Sequence, residues 1–296
     1  MSRRGFIKLL SAVTAGAIAV PDKSEAFSLD AFLQRHFREL SEDDKQKVLA
    51  RLEKEYNKQY DRDDITVGAT EAKPGVRFGY ALNLSKCIGC RKCVHACVEE
   101  NNQHRGSGDR ADQMEYIRVL EMEKGSLDVE KSVHDYDHQV PAEGKYYMPV
   151  QCHHCNDAPC IKACPVEATW QEEDGIVVVD YNWCIGCRYC AAACPYWARK
   201  FNWVEPEISG EDLNPDTHYL GNRPRYKGVM EKCTFCVNRV RKGLNPACHD
   251  ICPTGSRKFG NLLDANSVVR RIIDQKRIFV LKEEVGTDPN FFYFFD

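Results

Sequence analysis

The sequence predicts an α+β fold in which a cysteine-built module occurs twice, preceded by a helical extension. Three observations carry that prediction. All 16 cysteines of the 296-residue chain lie between Cys87 and Cys252, and the two ends have none. Within that region Cys87-Ile88-Gly89-Cys90-Arg91-Lys92-Cys93 recurs as Cys184-Ile185-Gly186-Cys187-Arg188-Tyr189-Cys190, the mark of a duplicated unit. Short apolar stretches flank the cysteine loops: Val76, Phe78, Tyr80 and Leu82 alternate before the first, and residues 176–179 follow the Asp174-Gly175 turn.

The chain opens on Ser2-Arg3-Arg4-Gly5-Phe6-Ile7-Lys8, then a weakly apolar run over residues 9–20, which reads as a twin-arginine export signal over residues 1–26, cleaved after Ala19 or Ala26. Export in the folded state reconciles many cysteines with an oxidising destination, because metal centres can be built in the cytoplasm and carried out already buried. The expected location is the periplasmic face of the cytoplasmic membrane. A helical extension and linker occupy residues 27–75. Phe32, Leu33, Phe37 and Leu40 recur at helical spacing, and Ser41 with Asp44 forms a capping box for a second helix striped by Val48, Leu49, Leu52 and Tyr56. The pair is read as a hairpin packed on its own domain, joined by a charged linker over residues 61–75 that ends in Pro74-Gly75. The cysteine domain spans residues 76–264, with charged insertions at 98–151 and 195–232. Residues 265–296 supply a C-terminal helix and an aromatic tail, 291–295, expected to pack against something. Beyond the signal no run of about 18 apolar residues occurs, so no membrane span of its own is expected in the mature chain. A net charge of −3 and a pI near 6.3 offer no field for a nucleic-acid backbone.

Four motifs account for every cysteine. Cys87, Cys90, Cys93 and Cys97 are spaced C-x2-C-x2-C-x3-C, as are Cys184, Cys187, Cys190 and Cys194. Cys152, Cys155, Cys160 and Cys164 follow C-x2-C-x4-C-x3-C, and Cys233, Cys236, Cys248 and Cys252 stretch the middle spacer to eleven residues. An x2 spacer lets successive thiolates curl round one iron–sulfur cubane while loop N–H groups point at its sulfurs, a tight path that suits Gly89 and Gly186. After x3, usually with a proline, the chain turns away and the fourth thiolate ligates the other cluster of a pair. Pro165, Pro195 and Pro253 supply that proline, whereas the first motif has Val98. Only 19 residues, 165–183, separate the second and third motifs, close to the spacing of a two-cluster ferredoxin, so these two exchange fourth ligands and the first and fourth pair by elimination. The expected ligand sets are Cys87, Cys90, Cys93 and Cys252 (cluster 1); Cys233, Cys236, Cys248 and Cys97 (cluster 2); Cys152, Cys155, Cys160 and Cys194 (cluster 3); and Cys184, Cys187, Cys190 and Cys164 (cluster 4). The cofactors are then four 4Fe-4S clusters, held in two ferredoxin-like double-cluster modules with nested ligation.

Other uses of these cysteines fit less well. Structural zinc favours two separated C-x2-C pairs, not three close cysteines plus a distant fourth. Disulfides within C-x2-C loops would staple little. Covalent haem needs a histidine directly after C-x-x-C, and none follows here. His153 and His154 read as polar surface or as groups just outside the ligands. Lys86, Arg91, Lys92, Lys162, Arg188, Lys232 and Arg239 crowd the motifs, and those that approach a negatively charged cluster raise its reduction potential.

The motifs resemble the four-cluster iron–sulfur subunits of the dimethyl-sulfoxide, polysulfide and formate-dependent nitrite reductase group. The likeness runs over residues 78–264 and includes Glu100-Asn101-Asn102, Lys232-Cys233-Thr234-Phe235-Cys236, Pro246-Ala247-Cys248, Cys252-Pro253-Thr254-Gly255 and Phe259-Gly260. The resemblance implies ferredoxin-like halves, the same nested pairing, and an electron relay with no catalytic site of its own. It also implies two partners: a multi-pass, quinone-reactive membrane subunit, and a catalytic molybdopterin-type subunit or a multihaem cytochrome. The N-terminal extension and the first long insertion depart from the simplest members and leave the second partner open. A soluble polyferredoxin shuttle, and a structural metal protein whose clusters only staple a binding surface, are the competing readings.

Overall fold

The computed structural model describes residues 36–105 and 114–296. The export signal expected from sequence, with Phe32 and Leu33, therefore lies outside the described residues. The chain divides into two units between Leu40 and Ser41. In the first, Phe37–Glu39 form a single 3-10 turn and Leu40 is extended, with ψ 146°. The helical spacing read through Leu40 is thus broken there by the extended backbone.

The second unit begins with helix α1 (Glu42–Tyr60), strand β1 (Thr66–Gly68), strand β2 (Phe78–Asn83) and helix α2 (Lys92–Glu100). Strands β3 (Arg118–Glu123) and β4 (Lys145–Val150) precede α3 (Pro159–Lys162), β5 (Thr169–Gln171), β6 (Val177–Val179) and α4 (Tyr189–Ala193). Then come β7 (Lys200–Phe201), β8 (Asp216–His218), β9 (Met230–Glu231), α5 (Val237–Val240) and α6 (Ala247–Asp250). β10 (Arg257–Asn261), α7 (Val268–Gln275), β11 (Ile278–Phe279) and β12 (Phe291–Phe294) complete it.

The α1 helix forms as its capping box directs: Ser41 Oγ accepts the Asp44 N–H at 3.2 Å, and Val48, Leu49, Leu52 and Tyr56 are buried. Tyr56 donates from its hydroxyl to the Pro224 carbonyl at 2.9 Å and accepts from Arg223 at 3.0 Å, so the helix packs on its own domain. The segment read as a linker contains β1, paired in parallel with β8. The first insertion contains regular structure too, since β3 and β4 form a six-residue antiparallel ladder.

The main sheet has the order β10-β2-β12-β11, with β2 and β12 parallel and the outer pairs antiparallel. All six residues of β2 are buried, as a central strand covered on both faces requires. Ala81 and Phe294 pack with Val269 of α7 and Leu262 on one face. On the other, Tyr80 stacks on Phe291 with centroids 5.2 Å apart and meets Phe235 at 5.8 Å. The aromatic tail is therefore an inner strand of the sheet, its alternation putting Phe291 and Tyr293 toward the cysteine motifs.

β9 leads straight into Lys232-Cys233, and a fully buried ion network fixes it. Glu231 accepts from Arg105 at 2.8 Å, from Arg225 Nε at 2.8 Å and from Tyr116 at 2.6 Å. Burial alone would raise the Glu231 carboxyl, but Arg225 and Arg105 hold it below its ordinary range. Glu231→Gln would leave two buried guanidiniums without their carboxylate, at a cost of about 3–5 kcal/mol. Chemical denaturation of the cluster-loaded protein is expected to show that loss; a midpoint unchanged from the parent would contradict it.

Candidate metal centres

One backbone device recurs in the first C-x2-C loop of all four motifs. The residue just before the second cysteine has positive φ: Gly89 at 73°, His154 at 45°, Gly186 at 67° and Phe235 at 54°. In three of the four its own N–H then turns back on the first thiol of the loop. Phe235 N donates to Cys233 Sγ at 3.4 Å, and Gly89 and Gly186 do the same for Cys87 and Cys184. Only glycine is free of strain there. A Cβ on Gly89 would lie 2.5 Å from the Tyr147 ring, and one on Gly186 would run into the Gly228 carbonyl oxygen. His154 and Phe235 accept the strained conformation while stacking on each other, centroids 3.8 Å apart. In the two near-identical motifs the match extends further, since Arg91 (56°) and Arg188 (64°) are left-handed as well and open α2 and α4.

Helix packing then brings distant thiols together: α2 lies on α6, and α3 on α4. One cleft is lined by Cys87, Cys90, Cys93 and Cys252, and another by Cys152, Cys155, Cys160 and Cys194. Cys97 has Cys233, Cys236 and Cys248 as electrostatic neighbours, and Cys190 has Cys184 and Cys164. All sixteen cysteines are free thiols. Among the described residues, no three His, Cys, Asp or Glu side chains are placed to hold a single metal ion. In each of the two clefts four thiols line one shared space, as a polynuclear cluster requires.

Burial pushes the thiols up, to about 12 at Cys87, Cys155 and Cys233 and about 11 at Cys190. Cys252 goes the other way: burial would raise it, but the Thr254 hydroxyl and the N–H groups of Thr254, Ser256 and Arg257 outweigh burial. Loading metal therefore displaces protons and leaves buried negative charge to be matched. Polar donors stand ready to do so. Asn101 Nδ2 lies 3.6 Å from Cys97 Sγ, Gln103 Nε2 3.4 Å from the same sulfur, and Gln151 Nε2 3.6 Å from Cys233 Sγ. Met230 N–H points at Cys184 Sγ from 3.4 Å.

Of the seven cations singled out from sequence, Lys232 alone is buried. Lys86 pairs with Asp296, Lys162 with Asp157, and Arg239 with Glu100 and Asp250; Arg91 lies over Tyr136 and Arg188 over Trp203, while Lys92 is exposed. Two cations that matter more were missed. Arg199 Nη2 donates to Cys160 Sγ at 3.0 Å, and Arg257 reaches Cys93 Sγ at 3.5 Å and Cys248 Sγ at 3.6 Å. Each stands five residues after the last cysteine of its motif, as Cys-Pro-x3-Arg, a repeat that could have revealed them. His153 and His154 are not polar surface. Both are buried, His153 stacked on Phe291 and pushed down to about 3, His154 accepting the Val177 N–H at 2.9 Å.

Thiol quartets with amide and guanidinium donors on their sulfurs define the class: an iron–sulfur protein that handles electrons. The comparisons agree. Residues 86–168 match one family described as a 4Fe-4S dicluster domain, and residues 144–224 with 217–262 match a second of the same description. The chain is 42% identical to a candidate iron–sulfur subunit of dimethyl sulfoxide reductase from Halobacterium salinarum, over 73% of this chain and 78% of that one. It is 32% identical to the Hdr-like menaquinol oxidoreductase iron–sulfur subunit 1 of Archaeoglobus fulgidus (99% and 97%), and 32% identical to a tetrathionate reductase subunit of Salmonella typhimurium (99% and 87%). The chain belongs to this family of 4Fe-4S dicluster iron–sulfur subunits, and its two dicluster domains and 16 cysteines correspond to four 4Fe-4S clusters.

Gly186→Ala adds a Cβ where φ is positive and a backbone oxygen blocks the way. Iron is expected to fall from about sixteen to about twelve atoms per chain as one cluster is lost. Gly144→Ala, at φ 74° with open space around its Cβ, serves as the control and should keep its iron. Equal iron in both variants would remove the importance given to the loop conformation.

Proposed function

We propose that this chain relays electrons through its four clusters between a quinone-reactive membrane subunit and a second redox partner, without bond chemistry of its own. The observation that carries the reading is the order of the thiol quartets. Under nested ligation, Cys93 of cluster 1 neighbours Cys248 of cluster 2, Cys233 of cluster 2 neighbours Cys152 of cluster 3, and Cys160 of cluster 3 neighbours Cys190 of cluster 4. The row is dry in the middle and open at its ends. All four cysteines of cluster 2 and three of cluster 3 are buried, against none of cluster 1 and one of cluster 4.

Nested ligation itself is supported by the two clefts, each of which gathers the first three cysteines of one motif with the last of another. When bound, the clusters supply one-electron oxidation and reduction at potentials set by their surroundings. The chain contributes the rest: thiolates that hold the metal, N–H and amide donors on the sulfurs, and a core that keeps water from the two inner sites. The names of the relatives, a menaquinol oxidoreductase and reductases of tetrathionate and dimethyl sulfoxide among them, support a membrane-associated respiratory complex with a quinone-reactive subunit. We assign the far partner to a molybdopterin-type catalytic subunit or a multihaem cytochrome. No helix among the described residues is long and apolar enough to cross a membrane. Residues 2–8 support export by the twin-arginine route to the periplasmic face.

Single Cys→Ser variants examined by paramagnetic resonance test the arrangement. Cys252→Ser is expected to alter the same signal as Cys87→Ser, and Cys97→Ser the same signal as Cys233→Ser. If Cys252→Ser instead disturbed the signal sensitive to Cys233→Ser, each motif would hold its own cluster and the order of the row would be wrong. Zinc in place of iron in anaerobically prepared protein would end the relay reading altogether.

A further inference from the structure

Resting on the nested reading above, three buried cations stand at the three junctions between neighbouring clusters. At the junction of clusters 1 and 2, the Arg257 guanidinium divides. One nitrogen reaches Cys93 Sγ at 3.5 Å, and the other reaches Cys248 Sγ at 3.6 Å and Gln151 Oε1 at 2.8 Å. Between clusters 2 and 3, Lys232 donates to the Cys233 carbonyl at 2.7 Å and to that of Val177, and it feels Cys152 and Cys233 together. Between clusters 3 and 4, Arg199 reaches Cys160 Sγ at 3.0 Å and Thr169 Oγ1 at 3.1 Å, with Cys190 as a further neighbour.

The hydrogen-bond partners of these cations are neutral oxygens and cysteine sulfurs, so their counter-charge is the thiolate-ligated cluster. A buried cation is costly unless it is matched. Placed on one side of a single cluster, it would attract an electron there and hold it. Placed between two, it favours reduction of both, and its attraction to the electron changes little when the electron crosses. We propose that Arg257, Lys232 and Arg199 are shared counter-charges, each raising the potentials of the two clusters beside it without adding to the difference between them. The repeated Cys-Pro-x3-Arg gives each module one such arginine, and Lys232 serves the joint between modules.

Arg257→Gln and Arg257→Lys, titrated potentiometrically with paramagnetic resonance on the purified four-cluster protein, test this. In the Gln variant two signals are expected to move to lower potential together, each by at least about 59 mV, a tenfold shift in its reduction equilibrium. The other two should stay within a third of that, and the Lys variant should recover most of the loss. A shift of one signal alone, or of none, overturns the shared role. Should the Gln variant fail to load, Arg199→Gln is read in the same way on the opposite pair; loss of clusters in both would show an assembly role and overturn the proposal too. If two signals move together but are not those altered by Cys87→Ser and Cys97→Ser, the nested assignment fails and the shared charge survives.

Discussion

Concentrated negative charge in a dry interior is the constraint from which the rest of this structure follows. Sixteen thiols must lose their protons to hold metal, yet burial pushes several of them up to about 12. Water cannot supply the compensation where Cys97, Cys233, Cys236 and Cys248 are all buried. The chain supplies it with oriented N–H groups, the amides of Asn101, Gln103 and Gln151, and guanidiniums laid against sulfur. The long segments between motifs are what bring these groups in. Gln103 follows the first motif closely, whereas Gln151 directly follows β4 at the end of the first insertion, and β9 near the end of the second leads into Lys232.

Duplication explains how one solution came to be used four times, and the exceptions explain what else the loops must do. Two loops meet the need for positive φ with glycine, the inexpensive choice. The other two use His154 and Phe235, which stack on each other in the space between the second and fourth motifs. Those are the motifs whose thiols Cys152 and Cys233 are electrostatic neighbours across the two modules. Side chains at the left-handed positions thus fill the joint that glycines would leave hollow, and local strain is exchanged for contact between modules.

Much of this was legible in the sequence, for reasons that can be stated residue by residue. Ligand spacing is local, so the four motifs and Gly89 and Gly186 could be read directly. The α1 helix was legible because Ser41, Asp44 and the stripe from Val48 to Tyr56 act within a few turns. Period-two alternation exposed β2 but not its partner: a parallel strand such as β12 pairs across more than 200 residues, and nothing in Phe291-Phe292-Tyr293-Phe294 says where it will lie. For His153 and His154 the sequence leaves polar surface and a place just outside the ligands both open, since adjacent polar residues are usually exposed, and the structure removes the first. Their burial comes from the tail and from Phe235, both far away in the chain. Arg199 and Arg257 were overlooked for a similar reason, since each serves thiols of other motifs as well as following its own.

Buried charge also bears on the ion network next to the row. Arg105, Arg225, Glu231 and Tyr116 are fully buried and closely hydrogen-bonded, and Glu231 precedes Lys232 directly. A cation at the central junction has effect only if it keeps its distance from both flanking quartets. Lysine has four rotatable bonds with which to drift toward one of them. Anchoring the preceding residue through two guanidiniums, and the ammonium itself through the Val177 and Cys233 carbonyls, removes that freedom at both ends of the side chain. The network is far too costly to be read as a source of net stability. Its physical return is positional: it fixes β9 in the fold, and with it the buried ammonium of Lys232 that follows.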